Sequence, residues 1–176
     1  MTIDHPGDAA ARNALARRLR GIRETAGISQ WALADALDIT GSGTSDLEHR
    51  RNWKVATVQA WTRALGFRLD MSIDGLTVPD DGDALAALYA AQQPTSAAAE
   101  DRLDLRTIVN NLARIRRAQD VTLAELGARL GCSESAACRR ETHPDRLMLP
   151  TLQAHVRALG GVLILGLAYV PTAVAA

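Results

Sequence analysis

At 176 residues the chain can hold one large domain or two small ones, and with only 3% aromatic residues its core must rest mainly on Leu, Ile, Val and Ala. Twenty Lys and Arg balance twenty Asp and Glu, so the chain lacks the strongly basic footprint usual in nucleic-acid binders. The longest apolar run, 162–176, is too short for a membrane span and contains Pro171; there is no secretory pattern, and Cys132 and Cys138 fit neither a zinc nor a disulfide spacing, so a cytoplasmic protein with no membrane partner and no metal is expected.

Residues 8–25 read as an amphipathic helix with Leu15, Leu19 and Ile22 on one stripe, stopped by Gly27. Ser29 caps a second helix over 30–37. Thr40 caps a third over 41–51, weakened by Gly41 and Gly43, each costing about 1 kcal/mol against Ala. After a loop at 52–56, Thr57 caps a fourth helix that ends at Gly66, and Phe67, Leu69, Met71 and Ile73 then alternate with polar residues as a half-buried strand. The stretch 75–102, rich in Pro, Gly, Ala and acids, reads as a linker, with a short helix predicted over Asp83–Gln92.

The chain beyond the linker repeats the chain before it. Residues 57–66 (TVQAWTRALG) and 151–160 (TLQAHVRALG) share Thr57/Thr151, Gln59/Gln153, Ala60/Ala154, Arg63/Arg157, Ala64/Ala158, Leu65/Leu159 and Gly66/Gly160. At an offset of 93, Leu19, Ile22, Arg23, Leu33, Leu37 and Glu48 map onto Leu112, Ile115, Arg116, Leu126, Leu130 and Glu141. Such a repeat means a duplicated unit, which divides the chain into 8–74, the linker 75–102, a second unit at 103–170 and a tail at 171–176. The second strand (162–170) is more apolar than the first, and burial on both faces is expected for it. Charge divides unevenly: residues 1–75 carry 10 basic and 9 acidic groups, 76–101 none and 5, 102–176 10 and 6.

Ile28-Ser29-Gln30-x-x-Leu33-Ala34-x-x-Leu37-x-Ile39-Thr40, followed by Leu47-Glu48, resembles the helix-turn-helix of the phage-repressor and Cro (XRE) family. Val121-Thr122-x-x-Glu125-Leu126-Gly127-x-x-Leu130-Gly131-Cys132-Ser133, followed by Glu141, resembles it again. The resemblance implies a mainly α fold, two tandem helix-turn-helix domains of four to five helices, each followed by a short strand. The two strands are expected to pair as an antiparallel ribbon, giving a monomeric pseudo-dimer; a homodimer is the other arrangement. Small Ala34 or Gly127 would let the next helix approach, so that it protrudes into a major groove. Arg23 with Glu48, and Arg116 with Glu141, resemble the salt bridge that ties the first helix to the recognition helix in this family. The sequence also departs from the pattern: Asp38 stands at the usual turn glycine, Gly43 and Thr44 where a stiffer, β-branched apolar residue is common, Leu123 at the counterpart of Gln30, and Arg140 at that of Leu47.

Helix phase and the resemblance together nominate DNA contacts. In the first unit they are Gln30, Thr40, Ser42, Ser45, Asp46 and His49, with Arg50 and Arg51 near phosphate. In the second they are Thr122, Ser133, Glu134, Ser135, Arg139 and Thr142, with Arg140 and Arg146 near phosphate. Arg139 leads for guanine readout, because its fork matches O6 and N7. The expected function is sequence-specific binding of double-stranded DNA by a transcriptional regulator, a repressor in type, and unlike recognition helices imply an asymmetric operator. The alternative is an antitoxin that binds its own promoter and a toxin protein. There is no Gly-rich phosphate loop, metal-ligand cluster or Ser/His/Asp arrangement, so neither an enzyme nor a cofactor is expected.

Overall fold

A computed structural model of the chain describes residues 5–49, 52–80 and 91–170. Among them are eight α-helices and one two-stranded antiparallel sheet. The first half runs α1 (Pro6–Thr25), α2 (Gln30–Ala36), α3 (Gly41–His49), α4 (Val55–Ala64) and β1 (Phe67–Asp74). The second runs α5 (Ala97–Ala118), α6 (Leu123–Leu130), α7 (Glu134–Thr142), a 3-10 turn at Pro144–Arg146, α8 (Leu149–Ala158) and β2 (Val162–Tyr169). None of the described helices is long and apolar enough to cross a membrane.

Several boundaries differ from the sequence expectation. Helix α4 begins at Val55, not at Thr57, because Trp53–Val55 is held by the second half: Val55 N–H donates to the Leu147 carbonyl at 3.0 Å and Leu149 N–H to the Trp53 carbonyl at 2.7 Å. The chain therefore turns into the helix straight from this bridge, and the corresponding helix α8 starts at Leu149 with Pro150 in its first turn, where a missing N–H costs nothing. Helix α5 begins six residues inside the stretch read as linker: Ser96 Oγ accepts from Ala99 N–H, and Ala97–Ala99 are strong helix formers. Most of the helix expected over Asp83–Gln92 lies outside the described residues.

Strands β1 and β2 pair along their whole length, from Phe67 opposite Tyr169 to Asp74 opposite Val162. At the middle of the ribbon Met71 faces Leu165, and a separate antiparallel bridge joins Lys54 to Met148. Each of these two pairs joins a residue to its own repeat counterpart, 94 positions on. Two self-paired positions fix an approximate twofold between the halves, the geometry of an isologous dimer interface within one chain. Burial of β2 on both faces does not occur. Leu163 is buried, but Val162, Ile164 and Tyr169 are exposed, because a two-stranded ribbon has helices against one face only.

One hydrophobic cluster runs through both halves. It holds Leu19, Leu33, Val58, Trp61 and Leu69 of the first, and Leu112, Leu126, Leu152, Val156 and Leu163 of the second. Trp53 and Trp61 meet edge to face, ring centres 5.9 Å apart.

Polar contacts across the joint repeat the twofold. Gln59 Nε2 donates to the Asp101 carbonyl at 2.7 Å, and its counterpart Gln153 donates to the Asp8 carbonyl at 3.2 Å. Arg63 pairs with the Asp101 carboxylate and Arg157 with that of Asp8. All four acceptor and amide residues are buried. The identity of Gln59 with Gln153 and of Arg63 with Arg157 signalled these contacts in the sequence, but helix phase alone did not say that polar groups there face the other half.

Candidate functional site

The paired helices α2–α3 and α6–α7, with the residues Thr40, Thr122 and Ser133 that cap them, carry all but Arg146 of the described residues nominated as DNA contacts. In α2, Ser29 Oγ accepts from Ala32 N–H at 3.0 Å and Leu33 and Ala34 are buried. In α6, Thr122 and Glu125 form a complete capping box, and the hydrogen bonds from Thr122 hold the Glu125 carboxyl below its usual range. The turn after each of these helices needs one left-handed residue. Gly131 supplies it in the second half (φ 65°), while in the first Asp38 adopts it (φ 52°), a conformation Asp tolerates better than most residues. At Gly127 any Cβ would lie 2.8 Å from the Cys132 carbonyl oxygen, so α7 reaches its position only over a glycine. At the first-half counterpart, Ala34 is accommodated.

A buried ion pair fixes the second helix of each pair to the first helix of its half. Arg23 Nε donates to Glu48 Oε1 at 2.6 Å, and its Nη1 to the Ile28 carbonyl at 2.9 Å. Arg116 Nε donates to Glu141 Oε1 at 2.8 Å, Nη2 to Oε2 at 3.1 Å, and Nη1 to the Val121 carbonyl at 2.8 Å. The hydrogen bond to Glu141 raises the pKa of Arg116. The second carboxylate oxygen is satisfied differently in the two halves. Gln30 Nε2 donates to Glu48 Oε2 at 2.9 Å, whereas Leu123 has no donor and Arg116 takes both oxygens of Glu141. Gln30 is thus engaged inside the fold rather than presented outward as a contact.

On the outer surface of α3, Thr40, Ser42, Asp46 and His49 are exposed and Ser45 is half-buried, its carbonyl 2.7 Å from His49 Nδ1. The Thr40 hydroxyl accepts from Gly43 N–H, so it also closes the start of α3. Arg50 and Arg51 lie outside the described residues. On α7, Glu134, Ser135, Arg139 and Thr142 are exposed, as are Thr122, Ser133 and Arg146 nearby. Arg140 is not a free phosphate contact: it is half-buried, and its Nη1 is enclosed with no hydrogen-bond partner, because Arg140 falls on the inward side of α7 where Leu47 lies in α3.

Beneath α7 lies a histidine that its sequence context suggests is a surface or contact residue. His155 is instead fully enclosed at the position of Trp61, with both ring nitrogens unpartnered and Nε2 3.8 Å from Glu141 Oε1. Burial pushes its pKa down to about 4; Glu141 opposes the shift, and Arg140 and Arg116 add to it. The ring is therefore neutral near pH 7. The TLQAHVRALG repeat offered the signal, since His155 falls among residues that the first half buries.

Comparison of the chain with protein-family models, with curated proteins and with solved structures gave no match.

Proposed function

We propose that the chain is a sequence-specific regulator of transcription that binds double-stranded DNA, a repressor in type, with two helix-turn-helix heads held as a pseudo-dimer. The observation that carries this reading is the duplicated helix pair locked at its second helix by the same buried Arg–Glu bridge, Arg23 with Glu48 and Arg116 with Glu141. Such a lock serves geometry more than net stability, as is needed where a helix must stand at a fixed angle to present side chains to a groove. The twofold between the halves supports the pseudo-dimer, because paired heads suit successive major grooves.

The heads differ in chemistry. Arg139 on α7 offers a guanidinium where α3 has Asp46, its counterpart 93 residues earlier. The second head reads guanine with Arg139 and approaches phosphate with Arg146, while the first offers Ser42, Ser45 and His49 and can accept from cytosine through Asp46. The operator is accordingly asymmetric. Selection of bound duplexes from a random pool at moderate salt should enrich one non-palindromic site. Arg139→Ala should cost about 1–3 kcal/mol of binding and relax one base position. Failure to enrich any sequence refutes the reading.

A further inference from the structure

The first half carries an exposed surface that the second lacks. From Glu24 to His49 the chain has five acids and no Lys or Arg, whereas the counterpart stretch, Arg117 to Thr142, has four acids and four arginines. Glu24 and Glu48 are paired with Arg20 and Arg23, and Asp35 and Asp38 are exposed. On the same helix as Asp35 stands Trp31, 76% exposed, while Trp53 and Trp61 are buried. Trp31 and Asp35 are one turn apart on α2 and share a face. The six-membered ring of Trp31 lies over Gly41 so closely that a Cβ there would stand 2.9 Å from Cζ3. Together with Ala34 and half-exposed Ile39 they line an open cleft of about 630 Å³ at the start of α3.

Nothing in the shared framework needs this arrangement. The counterparts of Trp31, Asp35, Asp38, Ile39 and Gly41 are Ala124, Ala128, Gly131, Cys132 and Glu134, and the second half folds with them. An exposed Trp offers the rigid, amphipathic surface that is enriched at interfaces, and the charge around it selects the partner. The exposed carboxylates of Asp35 and Asp38 repel the phosphates of a nucleic acid and attract a cation. An arginine fits on both counts: its planar guanidinium stacks on an indole face and pairs with a carboxylate. Ala34 and Ile39 supply apolar cover for the stem of such a side chain.

We propose that the Trp31–Asp35–Ile39 cleft docks an arginine-bearing segment of a partner protein. The docking does not depend on the DNA reading. Its consequence does: a segment seated there covers Thr40 and Ser42 at the start of α3, so partner and operator compete for the first head.

The test uses the full chain without DNA and a short peptide of alternating Arg and Ser, followed by tryptophan emission. Trp31 is the one exposed tryptophan of the three, so a change in emission on titration reports this site. The wild type should respond and saturate. The lysine version of the peptide should bind about fivefold more weakly, for want of stacking. Asp35→Asn with Asp38→Asn should weaken binding about fivefold or more, with unchanged helix content by circular dichroism. No saturable response, or equal affinity for the Asn variant, overturns the proposal. A response to duplex DNA but not to the peptide also overturns it and assigns Trp31 to the DNA face. If the pool selection enriches nothing while the peptide still binds, the DNA reading has failed and the docking stands.

Discussion

Trp61 and His155 occupy equivalent places in the two halves, and both are fully enclosed. In the first half Trp53 lies against the ring of Trp61, and Leu47 is on the inner side of α3. In the second half the places of Trp61 and Leu47 are taken by His155 and the enclosed end of Arg140. The halves nonetheless share their helices, their turns and the Arg–Glu tie. The backbone frame is therefore set by features that both retain, the capped helices, the small residue at 34 or 127, the left-handed turn and the ion pair. The packing behind α3 and α7 has been free to change polarity.

The ion pair is the sharpest place to break the comparison. Glu48 accepts from Arg23 and from Gln30 and its side chain is fully enclosed; Glu141 depends on Arg116 and is slightly more open. Removing one charge leaves a buried guanidinium without its main partner, which costs about 3–5 kcal/mol, although Glu24 stays 3.4 Å from Arg23 Nη2 in the first half. Glu48→Gln should sit at the upper end of that range and Glu141→Gln at the lower, measured by denaturant midpoint at pH 7. Unchanged midpoints would show that the ties do not hold these helices in place. A larger loss at Glu141 would mean that Glu24, beside Arg23, outweighs the hydrogen bond that Gln30 gives Glu48.

These ties were legible in the sequence because Arg23 and Glu48 recur as Arg116 and Glu141 at one offset. The ribbon was legible for a similar reason: alternation marked β1, and the repeat required a second strand in the same place. The joint between the halves was less so. Asp8 opens the first predicted helix and Asp101 falls in the stretch read as linker, and only the fold brings them to Arg157 and Arg63. Helix periodicity gives the angle of a side chain about its own axis, not whether another half of the molecule covers it. His155 was obscured in the same way, since nothing local distinguishes an exposed histidine from one taking the place of a core tryptophan.

His155 makes the second half the acid-sensitive one. Its folded pKa of about 4 lies below the ordinary 6.5, so the unfolded chain binds the proton more readily. The neutral ring's contribution is complete above about pH 6.5 and is lost as pH falls from there to about 4. At 1.36 kcal/mol per pK unit the difference amounts to about 3 kcal/mol. The pH dependence of the denaturant midpoint between 7 and 4 should accordingly be steeper for the wild type than for His155→Leu. Parallel curves for the two proteins would show that His155 is not the group responsible.

The smallest effect runs the other way and belongs to the first half. Thr44 lies in the middle of α3 at the place of Ala137 and is fully buried, and its hydroxyl has no hydrogen-bond partner. A buried hydroxyl left unpaired costs about 1–3 kcal/mol, whereas valine matches the shape of threonine without the polar atom. Both are β-branched, so helix propensity hardly changes. Thr44→Val should stabilise the protein by about 1 kcal/mol, or roughly 2–4 °C in thermal midpoint for a chain of this size. Thr44 faces inward, so under the proposed function a loss of DNA affinity could not come from a lost contact; such a loss with a raised midpoint would mean that α3 has to move within its half to bind the proposed operator. A gain in midpoint with affinity unchanged would show instead that the first head is held rigidly by its core, as the buried tie at Glu48 requires.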